Sequence, residues 1–464
     1  MIKTGQTIAA ITTALTPSGV GIIRVSGEGS IDIVSKIFKS KTKKDIDISA
    51  SHMVKYGFIY DGDEIIDEVL VLTFIAPKSF TGENTVEVQC HGSILALQKI
   101  LDLIIKNGAS LAEPGEFTKR AFLNGRIDLA RAEAVSSFIM AQNDLALKAN
   151  FNQLSGKLSE KLSSYYATIS ESIAHIEAYL DDPEHIEIDG FADELSKNIS
   201  FLKTEIKKLL DTYEDGKIIN EGINACFLGR PNAGKSSLLN ALLKEDRAIV
   251  SSIEGTTRDT VEEKINLSGL TLNIIDTAGI RESTDEIEEI GIKKALAKAD
   301  AADFIIYVVD LTRPLKKEDE KIIDFIKNKK YIVLLNKTDL TSGAPSKEII
   351  DLLSKELNNK FFFTSSAVDE TSIEEIKKNI RSMFINNEIN YNNQILITNK
   401  RHKNLLSKTL SSLENVENSI KASLSEDFLT IDLMATLDSL SEILGKNAKE
   451  DVINDIFSKF CMGK

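Results

Sequence analysis

Long apolar runs are missing from this sequence of 464 residues. No stretch approaches the ~18 apolar residues that cross a bilayer as a helix, so a membrane is not among the expected partners. Cysteine is scarce. Cys90, Cys226 and Cys461 are an odd number at spacings that suit no metal framework, which is the pattern of free thiols in a reducing compartment. A cytoplasmic location is therefore expected. Adjacent Cys90 and His91 make a poor metal pair and read as a buried thiol beside a turn histidine. A secretory leader is not expected either. "MIKTGQTIAAITTAL" has an early lysine and a short apolar stretch, but threonines dilute its centre and no small-x-small cleavage site follows. Net positive charge is absent: at −14 the chain is no nonspecific coat for nucleic acid. Two basic clusters, "TKRAFLNGR" and "NKRHK", can still meet phosphate locally, with a solvated helix face as the alternative for each.

What is present is an ordinary globular composition over a length that suggests about three domains, at roughly 150 residues each. Residues 1–118 read as mixed α/β. "GVGIIRVSG", "MVKYGFIY" and "DEVLVLTFI" have strand character, "DGDE" turns between the second and third, and "ILALQKILDLIIKNG" is a helix stopped by Gly108. Residues 119–217 change texture. Ala130, Ala134 and Phe138, then Ile169, Ile173, Ile176 and Leu180, recur at helical spacing up to a break near "DDPEH". In residues 218–384 the short apolar strands "ACFLG", "LNIIDTAG", "FIIYVVD" and "YIVLLNK" alternate with helical segments, the pattern of a parallel sheet covered by helices. Residues 385–464 return to helix. An α/β block flanked by helical blocks suggests an insertion into one discontinuous helical domain.

"GRPNAGKSS" follows a strand and opens a helix. Its glycines let backbone N–H groups wrap phosphates, Lys235 reaches the β and γ oxygens, and the Ser236 hydroxyl suits Mg2+. Asn232, Ala233, Gly234 and Ser237 complete this candidate phosphate loop. "IIDTAG" supplies Asp276, able to hold Mg2+ through water, then Thr277, Ala278 and the γ-phosphate sensor Gly279. "NKTD" supplies Asn336, Lys337, Thr338 and Asp339. The Asp339 carboxylate matches the ring N–H and exocyclic amine of guanine and mismatches adenine, while Asn336 addresses the other edge of the base. Ser366, Ala367 and Val368 of "SSAV" close over the base. Between the first two motifs lies "IVSSIEGTTRDT", with Ser251, Ser252, Ile253, Glu254 and Gly255 leading to the γ-phosphate and Mg2+ sensors Thr256 and Thr257. Four motifs in this order read as a GTP site. One residue is out of pattern: Ile280 follows DTAG where Ras-like proteins carry a water-orienting glutamine, so another side chain must position the nucleophile. Acidic candidates crowd "RESTDEIEEIG".

Motifs of this kind also occur in ribosome-assembly GTPases, which carry a dedicated RNA-binding module after the G domain. Outside them, "GVGIIRVSG", "PKSFTGENTVEVQCHG", "EPGEFTKRAFLNGRIDLARAEAV" and the terminal "FCMGK" closely resemble the MnmE (TrmE) family of tRNA-modification GTPases over essentially the whole length. The resemblance implies an amino-terminal α/β domain that binds a tetrahydrofolate derivative and makes a homodimer, a discontinuous helical domain, and an inserted Ras-like P-loop G domain. It implies a flavin-containing MnmG-type partner in a heterotetramer or larger complex. That complex would add an aminomethyl or carboxymethylaminomethyl group to C5 of the wobble uridine of certain tRNAs. It also implies G domains that meet when K+ is bound, the ion standing in for an arginine finger.

Carried onto this chain, the K+ ligands are Asn232, Ser251, Ile253 and Thr256, the Mg2+ ligands Ser236 and Thr257, and the water-orienting acid Glu288. The folate positions are Arg24, Glu87, Arg126 and Lys464. Family members can carry lysine at the Arg126 position, and a forked guanidinium binds oxygens differently from a point ammonium. Cys461 is left with two readings, a reactive thiol in the modification step or a small buried hydrophobe. A GTP-gated scaffold without one-carbon chemistry is the rival of a different class.

Overall fold

The computed structural model describes residues 5–40, 51–185, 190–245, 261–267, 269–275, 295–297, 299–341, 347–358, 361–366, 369–384 and 394–463. They form two compact units, one of Met1–Ile139, Gln153–Ile206 and Asn404–Lys464, the other of Met140–Asn152 and Lys207–Lys403.

The first unit holds a seven-stranded sheet of β1 (Ile8–Ile11), β2 (Ser18–Ser26), β3 (Phe38–Ser40), β4 (Met53–Asp61), β5 (Glu64–Phe74), β6 (Thr85–Gly92) and β7 (Ser110–Leu111), in the order β3-β4-β5-β6-β2-β1-β7. Alternation sets its faces. Ile23 and Val25 of β2 and Val86, Val88 and Cys90 of β6 are buried on one side. Helix Ile94–Lys106 covers that side with Leu97, Ile100 and Ile104. Arg24 and Glu87 are opposite one another in the β2–β6 register and face the other side. The helix ends at Lys106, and Gly108 follows at φ +117°. His91 lies on β6 and not in a turn: its strand continues to Gly92 and its imidazole bonds Asp67 at 2.7 Å.

Helices Lys157–Asp181 and Glu426–Leu444, from opposite sides of the α/β block, pack together in this unit. They bury Leu158, Leu162, Ile169, Ile173 and Ile176 on one and Leu433, Leu440 and Ile443 on the other. Leu180, the last residue of the predicted stripe, is 44% exposed, because it falls in the final turn of its helix, past the end of the buried stripe.

The second unit holds β8 (Ile223–Leu228), β9 (Val261–Asn266), β10 (Thr271–Ile275), β11 (Phe304–Asp310), β12 (Lys330–Asn336) and β13 (Phe362–Ser365) in the order β13-β12-β11-β8-β10-β9, parallel apart from edge strand β9. All seven residues of β11 are buried, as expected of a parallel strand covered on both faces. Phe304, Ile306 and Val308 pack with helices Lys235–Glu245 and Glu370–Phe384. Ile305, Tyr307 and Val309 pack with Lys317–Ile326 and Lys347–Glu356. The carboxyl ends of β8, β11, β12 and β13 thereby converge on one edge, where ligands bind in such sheets.

The sequence after Asn393 is predicted to be helical, but residues 394–399 are irregular and helix begins at Lys400. The reason is local. Ile397 N–H donates to Thr212 Oγ1 at 3.1 Å, and the Ile397 carbonyl lies where a Cβ on Gly216 would come within 2.4 Å. The returning segment is seated on helix Tyr213–Glu221 at its one glycine. Gly216→Ala is expected to cost about 1–3 kcal/mol through this clash, read as a lower midpoint of denaturant unfolding with unchanged slope.

Candidate functional site

The phosphate loop follows β8 directly, and helix Lys235–Glu245 starts at its lysine. Its turn needs unusual backbone at Asn232 (φ +59°) and Gly234 (φ +100°). Asparagine tolerates the first. Only glycine suits the second, because a Cβ there would sit 2.1 Å from Asn336 Nδ2. That closeness is functional geometry. Asn336, at the end of β12 and 2% exposed, donates to the Ala233 carbonyl at 2.8 Å and accepts from Ser365 Oγ at 3.3 Å. It therefore spends its amide bracing the phosphate loop. Asp339 is exposed and accepts from Ser366 Oγ at 3.0 Å, and Thr338 Oγ1 donates to the Ser365 carbonyl at 3.2 Å. NKTD and the start of SSAV are thus one cluster.

Lys235 Nζ donates to the carbonyls of Gly229 (2.7 Å) and Arg230 (2.9 Å). Burial pushes its ammonium down to about 8. Lys337 stands at φ +67° and donates to Asp310 Oδ2 at 2.7 Å. Burial works against the Asp310 charge, yet hydrogen bonds from Lys337, Thr312 and Arg313 outweigh it and hold the carboxyl well below its ordinary range. Ser236 and Ser237 open the helix. Ser251, Ser252, Ile253, Glu254, Gly255, Thr256, Thr257, Asp276, Thr277, Ala278, Gly279, Glu288, Ala367, Val368 and Lys464 lie outside the described residues.

A second cluster forms on the sheet of the first unit. Arg24 Nε donates to Glu87 Oε1 at 2.9 Å, and the Arg24 guanidinium lies 5.4 and 5.5 Å from the ring centres of Phe80 and Phe117. Arg126 lies 5.5 Å from the Phe80 ring centre, with its pKa lowered by burial and then by the Arg131 charge. Arg24 Nη1 is buried and has no partner among the described residues. In this unit the tail packs nearby. Phe457 and Phe460 join the core of Phe122, Ile127 and Leu129, the Cys461 carbonyl accepts from Gly115 N–H at 3.4 Å, and a Cβ on Gly463 would meet the Ile11 carbonyl at 2.5 Å. Ile11 neighbours Ala10, whose partner across β1–β2 is Arg24.

Two family profiles match this layout, "GTP-binding protein TrmE N-terminus" over residues 7–126 and "MnmE helical domain" over residues 129–461. The chain belongs to the MnmE (TrmE) family. It is 49% identical over 460 residues to the tRNA modification GTPase MnmE of Lachnoclostridium phytofermentans, 44% over 461 residues to that of Acetivibrio thermocellus and 43% over 460 residues to that of Clostridioides difficile, each match spanning 99% of both chains.

Within this MnmE-family chain, the basic cluster 118–126 is part scaffold and part surface: Arg120 is buried, whereas residues 123–126 are exposed. Arg120 is 5% exposed at its side chain and pairs with Glu83 (3.1 Å) and Glu116 (2.8 Å). Cys90 is buried, its thiol pushed up to about 11 by burial and by the Asp67 charge, so it is an inert hydrophobe, whereas Cys461 is partly exposed. Phe80, Phe117, Asp310 and Arg313, which no motif spacing singles out, join these two clusters through their contacts. Among the described residues no group of three or more His, Cys, Asp or Glu is placed to hold a metal ion, and no helix is long and apolar enough to cross a membrane.

Lys235 generates a pH dependence. Below about pH 8 it is charged in the free protein, and phosphate favours that form. Above this value a nucleotide must bind together with a proton, so affinity falls as pH rises. Calorimetry between pH 7.5 and 9, in buffers of different ionisation enthalpy, is expected to show weakening GTP binding with proton uptake; constant affinity would contradict it.

Proposed function

We propose that this protein hydrolyses GTP in a Mg2+- and K+-dependent cycle that serves one-carbon modification of wobble uridine (position 34) at C5 in certain tRNAs, in the cytoplasm. The supporting observation is the presence in one chain of a phosphate loop braced by the guanine motif (Asn336 on Ala233) and a basic, aromatic cluster that retains an unpartnered guanidinium nitrogen. Residues 218–384 act as the G domain, 1–118 as the folate-binding and dimerising domain, and 119–217 with 385–464 as the helical domain.

In this reading Lys235 leaves the carbonyls of Gly229 and Arg230 for the β and γ oxygens, Asp339 reads guanine, and Asn336 adds a contact to the base from its braced position. Ser236 and Thr257 hold Mg2+. Asn232, Ser251, Ile253 and Thr256 hold K+, which adds positive charge beside the phosphates. Glu288 orients the attacking water in place of the missing glutamine, accepting a hydrogen bond from it. The Arg24 cluster fits a folate: Phe80 and Phe117 offer aromatic surface, and the free Nη1 of Arg24 and the Arg126 fork suit anionic or carbonyl oxygens. Lys464 is assigned to the same ligand, and the folate supplies the one-carbon unit. Cys461 is the candidate thiol of the modification step. A homodimer with a flavin-dependent MnmG-type partner carries the tRNA chemistry.

For the G domain, Glu288→Ala should abolish hydrolysis while GTP still binds, and wild-type turnover should be much faster in K+ than in Na+. Near-normal turnover of the variant would remove Glu288 from the reaction. For the modification, cells lacking the protein should lose C5-modified wobble uridine in nucleoside analysis and regain it with the wild-type chain. Arg24→Gln and Cys461→Ser should fail to restore it while keeping GTPase activity. Purified Arg24→Gln should also lose the calorimetric signal for a reduced folate. Absence of that signal in the wild type would favour the GTP-gated scaffold.

A further inference from the structure

Three successive carbonyls of the phosphate loop are claimed by side chains from elsewhere in the sheet. Arg313 Nη2 donates to Asn232 O at 3.2 Å and approaches Pro231 O at 3.5 Å, while Asn336 takes Ala233 O at 2.8 Å. In a trans peptide the N–H points opposite to its C=O. Holding these carbonyls therefore fixes where the amides of Asn232, Ala233 and Gly234 point. Arg313 is itself held, its Nε donating to Asp310 Oδ2 at 2.8 Å, and that same oxygen accepts from Lys337 at 2.7 Å. The loop answers in kind. Its own Arg230 donates to Pro314 O at 3.1 Å and pairs with Asp319, 3.5 Å away. Asp319 is 3% exposed and accepts from Tyr307 Oη at 2.9 Å. The cavity lined by Arg230, Arg313 and Asp319 is about 10 Å³, room for roughly one water.

We infer that Arg313 is a positioning residue that locks the phosphate loop to the guanine motif through the chain Asn232 carbonyl, Arg313, Asp310, Lys337. The inference deepens the GTP-binding reading and rests on it. Without the guanidinium, the Pro231–Asn232 segment keeps its left-handed residue but loses the donor that orients its carbonyls. The cost falls on phosphate binding and not on the core, because the Arg313 side chain is 39% exposed.

The test is stopped-flow release of fluorescent GDP from the full-length protein, with the affinity measured alongside. Loss of hydrogen bonds from a charged donor predicts about tenfold weaker binding and correspondingly faster release in Arg313→Met. The melting temperature of the nucleotide-free protein should be unchanged. Arg313→Lys, which can make one of these bonds but not bridge them, should fall in between. Unchanged GDP affinity and release in Arg313→Met, with normal binding by the wild type, would overturn the inference. So would a loss matched by a lower melting temperature in both variants. A wild-type protein that binds no guanine nucleotide would instead overturn the GTP reading.

Discussion

A phosphate loop has to hold its amides in a binding arrangement when no phosphate is there to attract them. Backbone alone does this poorly, since a glycine-rich turn has many conformations of similar energy. Here the buried Asn336 amide supplies the constraint, joining Ala233 to Ser365 between the ends of two neighbouring parallel strands and the loop. It works because Gly234 leaves no Cβ in its path, and because β8, β11 and β12 are buried so completely that their ends are fixed points. The guanine motif, the phosphate loop and the Arg313–Asp310 pair all take their positions from that arrangement.

The amino-terminal cluster rests on a different constraint. A buried guanidinium must be paired, and Arg24 is only partly so: Glu87 takes Nε while Nη1 has no described partner. Such a group is costly in an empty core and useful in a site that receives an oxygen-rich ligand. Arg120, in the basic cluster, shows the contrast. Its hydrogen bonds go to Glu83, Glu116 and the Gln6 carbonyl, and it belongs to the scaffold.

Much of this was legible in the sequence. The strand character of "GVGIIRVSG" marks β2, and GRPNAGKSS and NKTD mark two strand ends on one edge of the second sheet. In the predicted helical stripes Leu180 is exposed and Phe138 only half-buried, both near the ends of their helices. Pairing across distance was not legible. Composition cannot distinguish a solvated basic cluster from one whose Arg120 is buried and paired with Glu83, well back in the chain, as well as with the neighbouring Glu116. Nor does any spacing announce Arg313, because its meaning lies in carbonyls more than eighty positions earlier. The irregular segment 394–399 was likewise hidden, since its conformation is imposed by Thr212 and Gly216 and not by its own residues.

The seating of Gly463 against Ile11 has a consequence for how the protein is made. The first strand leaves the synthesis machinery early and can pair with its sheet at once, but the residues that close over it arrive only after the whole G-domain segment has been translated. Domains generally fold as they emerge, so β1 waits, with one side uncovered, for residues that follow the G-domain segment. A chain interrupted in between can build the sheet and still lack the contact of Gly463 with Ile11.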